Sequence, residues 1–322
     1  MRMRRASVLP ILAGCVLAHS ALGTDVQRVI SLAPSVTEIV YALGAGDRLV
    51  GVSAHCDSPP QVTAVARVGT FVTPNIEAIV ARRPDLVIAV PSPGNQNPVE
   101  ALQRLGLRVL VVNPSTVAEI ADTILVIAGA LGADAAGRVV VDGMHARMAA
   151  VEARVAGAPR PRVLLVVGRT PLIAVGARTV QDELIRMAGG TNVAAGAGAS
   201  WPRLSVEAMV VAAPEVIIDT TMGSESAGDA ESVLRFWGGF PSLPAVRTGR
   251  VHRYAADPLL RPGPRIPDAL ESLARFLHPE RFAQLPRRGP TDVPLAPQCQ
   301  PVASTVDSQL STLDCRLPPC PT

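Results

Sequence analysis

The residues able to move protons, hold metals or attack carbonyls are few and scattered. Beyond the first two dozen residues the histidines are His55, His145, His252 and His278. No two stand at a His-x-x-x-His or similar ligand spacing. No Gly-x-Ser-x-Gly elbow presents a serine, and no Gly-Lys-Ser/Thr loop cradles a phosphate. His55 adjoins Cys56, a base beside a nucleophile by type, but neighbours along an extended segment point apart, so Cys56 reads as structural. Gly44-Ala45-Gly46 follows a helix instead of opening one and reads as a helix stop, not a dinucleotide fingerprint. No catalytic or metal-binding set is expected from these types and spacings. What remains is binding chemistry. Aromatic residues make up 3% of the chain, so Phe71, Trp201 and Tyr254 stand out on expected loops. Trp201, between Ser200 and Pro202, reads as a ligand contact and Tyr254 as packing. Each has an ordinary loop anchor as its alternative.

The elements that must position these loops alternate. Apolar runs at 28–32, 49–52, 86–90, 109–112, 162–167, 216–219 and 251–254 read as strands, separated by helical patterns at 76–82, 99–105, 181–187 and 267–277. This alternation predicts an α/β fold with parallel sheets. Ser35-Val36-Thr37-Glu38 has the form of a capping box opening a helix that stops at Gly44. A helical stretch over 117–156 carries Gly129, Gly132, Gly137 and Gly143, which predicts more than one helix. A helical connector in place of a Pro/Gly/Ser linker predicts two lobes in a fixed relation. The divisions expected are 1–23 leader, 24–115 first lobe, 116–158 helical connector, 159–285 second lobe and 286–322 tail.

A weak repeat supports two similar lobes. Glu77 precedes Pro84 by seven residues, and Glu207 precedes Pro214 by the same interval, each between a helix and a strand. Glu38 before Gly44 and Glu183 before Gly189 echo each other in the same order. Ligands bind such sheets at the carboxyl ends of the strands. The expected binding loops are therefore 33–35, 53–58, 70–75 and 91–97 in the first lobe. In the second they are 168–172, 200–203, 220–226 and 254–265.

The ends of the chain speak to compartment. Arg2, Arg4 and Arg5 precede an apolar run of 11 residues, Val8 to Ala18, too short to span a bilayer. Ala21-Leu22-Gly23 predicts cleavage after Gly23 and export. Leu12-Ala13-Gly14-Cys15 offers a lipoprotein box as the alternative. Cys56, Cys299, Cys315 and Cys320 then remain, an even count that fits disulfides with three pairings if all four are used. The formal charge of +3 is dispersed, with no basic stripe among aromatics, which argues against nucleic acid.

Taken in order, several segments resemble the Fe/B12 class of periplasmic substrate-binding proteins, and within it the cobalamin binders. They include Ile30-Ser31-Leu32-Ala33-Pro34-Ser35-Val36-Thr37-Glu38, Cys56-Asp57-Ser58-Pro59-Pro60 and Val68-Gly69-Thr70-Phe71. Arg83-Pro84-Asp85-Leu86-Val87, Trp201-Pro202 and Arg261-Pro262-Gly263-Pro264-Arg265 continue the series. The resemblance covers about 27–285. It implies two Rossmann-like lobes, a rigid connecting helix and a cleft for a large ligand delivered to an ABC permease dimer. It implies ligand contacts at Pro34, Ser35, His55, Phe71, Trp201, Asp257 and Arg265, and transporter docking through Glu77 and Glu207, whose other reading is a solvated helix face. A corrinoid is the ligand implied first, carried as cargo with no cofactor. Haem or a ferric siderophore is second, with His55 or Tyr254 available as an iron ligand. His55 and Ser58 depart from the pattern where tyrosines are usual, Val90 where a tryptophan occurs and Leu172 where a phenylalanine occurs. Chelatase-type enzymes share such a fold, so a reading of another class stays open; the expected export and the missing catalytic set weigh against it.

Overall fold

The computed structural model describes residues 26–284 apart from 93, 222–229 and 255–256. The expected leader with Cys15, and the expected tail with Cys299, Cys315 and Cys320, lie outside the described residues. In chain order, β1 (Val29–Ser31), α1 (Pro34–Ala42), β2 (Leu49–Val52), α2 (Ile76–Ala81), β3 (Leu86–Ala89), α3 (Gln96–Arg104) and β4 (Val109–Val111) form the first half. Next come α4 (Val117–Leu131) and α5 (Asp134–Val155). The second half holds β5 (Arg162–Arg169), β6 (Leu172–Ala174), α6 (Val180–Met187), β7 (Thr191–Asn192), α7 (Val206–Ala212) and β8 (Val216–Asp219). It ends with α8 (Ala230–Gly238), α9 (Pro244–Arg247), β9 (Val251–Arg253), α10 (Asp257–Leu260), α11 (Ile266–Leu277) and α12 (Pro279–Phe282).

The first sheet is parallel in the order β2-β1-β3-β4. The second repeats it, with β7 and β8 flanking β5 in parallel and β9 beside β8. One strand departs from the expected all-parallel sheet. β6 folds back antiparallel on β5 through a turn at 170–171, so the expected loop 168–172 is the closed end of a hairpin and Leu172 is a strand residue.

Strand residues alternate between two cores, as a pleat covered on both faces requires. Val29, Leu86 and Ile88 face one core while Ile30, Val87 and Ala89 face another. In the second sheet Val163, Leu165, Val216 and Ile218 point one way and Leu164, Val166 and Ile217 the other. The inward faces of both sheets belong to one continuous apolar cluster that runs through α1, α4, α5, α6 and α11. The lobes thus share a core.

α5, with 22 residues, is about 33 Å long and packs on both α4 and α11. Of the four glycines in this stretch only Gly132, in the left-handed region at φ 66°, breaks the helix. Gly137 instead lets α5 approach α4: a Cβ there would meet the Ala128 methyl at 2.6 Å. Arg48 ties the end of α4 to the first lobe by donating to the carbonyls of Leu131 and Val26.

The repeat is written into matching hydrogen bonds. Asn75 and Ser205 cap α2 and α7, accepting from the amides of Ala78 and Ala208. Each helix ends in a non-glycine residue at positive φ, Arg83 at 45° and Ala213 at 42°, just before Pro84 and Pro214. Arg28 and Arg162 donate through Nε to the carbonyls of those two residues. Asp85 and Glu215 then accept from the backbone amides of Arg28 and Arg162. Two independent helix-to-strand turns rarely arrive at the same four-part lock, so the two halves repeat one design.

The capping-box expectation at Ser35 and Glu38 is corrected. α1 starts at Pro34 with Ala33 as its cap and no side-chain cap bond, and Glu38 is buried. The Thr/Ser-to-Glu bond pattern is found at Thr116 instead, whose hydroxyl accepts from Glu119 while the Glu119 carboxylate accepts from the Ser115 amide.

Candidate ligand-binding cleft

A pocket of about 550 Å³ lies where loops of both lobes meet, within the size range of small-molecule sites. Asn113, Pro114 and Ser115, after β4, supply one side. The other side is built by Val167, the Arg178–Gln181 segment, Ser200, Trp201, Leu260 and Pro262. Trp201 is 48% exposed, an unusual state for a large ring, and so presents an apolar face to the pocket. Its position is not left to a mobile loop. Ala174 donates to the Pro202 carbonyl and Gly176 to that of Ser200, at 3.0 and 2.9 Å. A Cβ at Gly176 would stand 1.9 Å from the Ala199 oxygen, so only glycine permits this approach.

Directly after that contact, Arg178 has φ 62°. A residue with a side chain is held there at a cost on the order of 1 kcal/mol. The turn is pinned by Thr179, whose hydroxyl donates to the Gly176 carbonyl and accepts from the Asp182 amide as the cap of α6.

Beside the pocket, five charged side chains join the lobes. Arg261 and Arg265, flanking Pro262 to Pro264, reach Glu38 on α1, Asp57 after β2 and Asp257 on α10. Arg265 donates to both oxygens of Glu38 and to Asp257 at 3.0 Å. Arg261 makes a forked pair with Asp57 and lies 3.7 Å from Glu38. Its Nε is 2.5 Å from Asp257 Oδ1, without hydrogen-bond alignment at that oxygen. Burial pushes the Glu38 carboxyl above the usual glutamate range, against the bond and charge of Arg265, which pull it down. The bond from Arg261 holds Asp57 below the usual aspartate range, and the bond to Glu38 raises Arg265.

The expected contact residues divide. Trp201 lines the pocket. Asp257 and Arg265 are joined to each other in the ion cluster. His55 is exposed, and its carbonyl accepts from Arg261. Pro34 and Ser35 begin α1, with Ser35 packed against Gly263. Phe71 is partly buried against the first-lobe core, and its carbonyl accepts from Asn95. Tyr254 is buried edge-on to Phe276, which supports packing and removes it as an iron ligand. Cys56 is buried beside the Thr37 and Ser53 hydroxyls and pairs with no other cysteine among the described residues; its three expected partners lie outside them. Glu77 and Glu207 are exposed on α2 and α7. Hydrogen bonds from its own amide and from Ser205 hold the Glu207 carboxyl below the ordinary range.

Two pocket walls escaped sequence reading, 113–115 and 178–181. The first was legible as a polar Asn-Pro-Ser-Thr run after a strand. The second follows the unforeseen strand β6. A buried network was also missed: Asp219, 1% exposed, accepts from Arg169, from Trp237 Nε1 and from both the amide and hydroxyl of Thr221. A lone acid ending an apolar strand, with a tryptophan downstream, was its signal.

Known proteins agree with this architecture. The periplasmic binding protein family model matches residues 29–258. The vitamin B12-binding protein of Vibrio cholerae serotype O1 is 33% identical over 251 residues, 78% of this chain and 89% of that protein. Among solved structures, the periplasmic vitamin B12 binding protein of Vibrio cholerae superposes with a TM-score of 0.69 at 31% identity, covering 81% of this chain and 99% of that one. The periplasmic heme-binding protein of Roseiflexus sp. RS-1 gives 0.72 at 28% identity, covering 80% and 99%. With two repeated parallel sheets, a shared core and a pocket between their loops, the chain belongs to the periplasmic binding protein family.

Proposed function

We propose that this chain is exported to the periplasm, captures a corrinoid between its lobes and delivers it to an ABC permease dimer in the inner membrane. The observation that carries the ligand class is Trp201, a half-exposed ring fixed by backbone bonds on the wall of an inter-lobe pocket. A broad planar chelate gains apolar contact from such a face. The relatives named for vitamin B12 support a corrinoid. Asn113, Pro114 and Ser115 supply the facing wall, and Phe71, Pro34, Ser35, His55, Asp257 and Arg265 are assigned as further ligand contacts around it. Haem is the second reading, supported by the heme-binding relative.

Docking is assigned to Glu77 and Glu207, which occupy equivalent exposed sites on α2 and α7. Two carboxylates repeated by the fold suit a partner with its own twofold symmetry, steering its approach and setting register.

Recovery of the full chain from its native envelope, followed by absorbance and mass spectrometry, tests the reading. A co-purifying corrinoid supports it. Haem moves the assignment to the second reading, and a ligand of neither class overturns both. The same mass spectrum separates a start at Thr24 from a lipidated Cys15.

A further inference from the structure

Arg178 stands apart from the other arginines at the cleft. Arg261 and Arg265 are each held by carboxylates. Arg178 is exposed, lines the same pocket and makes no hydrogen bond or ion pair among the described residues. Its backbone is in the left-handed region at φ 62°, where glycine or asparagine is the unstrained choice. The turn that imposes this conformation is fastened at both ends. Thr179 bonds back to the Gly176 carbonyl, and Gly176 bonds to Ser200, next to Trp201. A free cation and a free aromatic face therefore issue from one rigid patch of the second lobe. Strain retained at a pocket wall, on a residue whose own side chain is exposed, points to function.

We infer that Arg178 is a specificity-determining residue that pairs with an anionic group on the periphery of the ring lying against Trp201. The inference rests on the proposed reading, since it needs a ring in this pocket. The shared chemistry is an oxyanion, for which a planar guanidinium is the suited partner. Two sources offer one: the phosphodiester of a complete corrinoid and the propionates of haem.

The full mature chain and its Arg178→Gly and Arg178→Lys variants are titrated with cyanocobalamin, with cobinamide, which lacks the phosphodiester, with haem, and with haem dimethyl ester, which lacks the acids. Arg178→Gly relieves the strained backbone, so its fold holds and its melting temperature stays at or above wild type. The expected result is a loss of about tenfold in affinity for the acid-bearing ring and no change for its acid-free counterpart. Arg178→Lys restores most of the loss. Confinement of the loss to the cobalamin pair identifies the phosphodiester, and to the haem pair the propionates. Equal loss for both members of a pair, or no loss for either, overturns the inference while leaving ring binding intact. Failure of the wild-type chain to bind any of the four rings overturns the proposed function itself, and the role of Arg178 with it.

Discussion

Arg265 grips Glu38 with two nitrogens, Nε at 2.8 Å from Oε2 and a terminal nitrogen at 2.5 Å from Oε1, across 227 residues of chain. Glu38 belongs to α1 of the first half and Arg265 precedes α11 of the second, so the pair ties the lobes beside the pocket. Only 4% of the Glu38 side chain is exposed. An ion pair this dry is a poor source of net stability, yet it is damaging to break from one side. Its role is to fix geometry.

Glu38→Gln leaves Arg261 and Arg265 with only Asp57 and Asp257 as counter-charges and should cost about 2–3 kcal/mol, at the low end for buried pairs because Arg265 is partly solvated. Arg265→Gln should cost a similar amount. The double variant should cost less than the sum of the two. Urea denaturation of the set measures the coupling. Strict additivity would mean that the two side chains do not act as a unit.

Asp219→Ala removes the acceptor shared by Arg169, Trp237 and Thr221 and leaves Arg169 without its counter-charge. Destabilisation of about 3 kcal/mol is expected. A change below 0.5 kcal/mol in chemical denaturation contradicts the network's structural role.

His252 should make the fold acid-sensitive. Burial, and then the nearby Arg250 charge, lower its pKa from 6.5 to about 4, and neither ring nitrogen has a hydrogen-bond partner. The folded state keeps the ring neutral while the unfolded chain takes up a proton near pH 6.5. Stability is therefore complete above about pH 6.5 and falls as the pH drops towards 4, by at most about 3 kcal/mol from this group. His252→Phe should flatten that slope. His278 is lowered by burial in the same direction, so a residual slope remains. An unchanged slope in the variant rules out His252 as the source.

Glu77→Arg with Glu207→Arg should abolish uptake in cells that depend on this chain and leave ligand affinity near wild type. Both carboxylates are exposed, so reversal costs the fold little. At a basic docking surface it sets like charges together. Uptake at wild-type rates contradicts the docking assignment, and lost ligand affinity would place these residues in the site instead.

Much of the fold was legible because its rules are local. The strands are near-continuous apolar runs, and 49–52 and 216–219 coincide with β2 and β8. The Glu-to-Pro interval located the repeated helix-to-strand turn without revealing the arginine lock that closes it. What escaped was decided by distant partners. Ser35 to Glu38 has the local form of a cap, but burial beside Arg265 is the stronger interaction for Glu38. β6 is short and carries only a three-residue signal. Its antiparallel return moved the pocket wall to 178–181, and neither Arg178 nor its strain is visible in residue types. Trp201 was legible because large rings are scarce in this chain.

Calorimetric titration of the purified chain with cyanocobalamin, repeated with Trp201→Ala, tests ring capture by the cleft most directly. Wild type should bind one equivalent saturably. The variant should unfold at the wild-type denaturant midpoint, because the ring is half-exposed, and bind more weakly by at least about 1 kcal/mol. No saturable binding to the wild-type chain, or equal affinity in the variant, would contradict it.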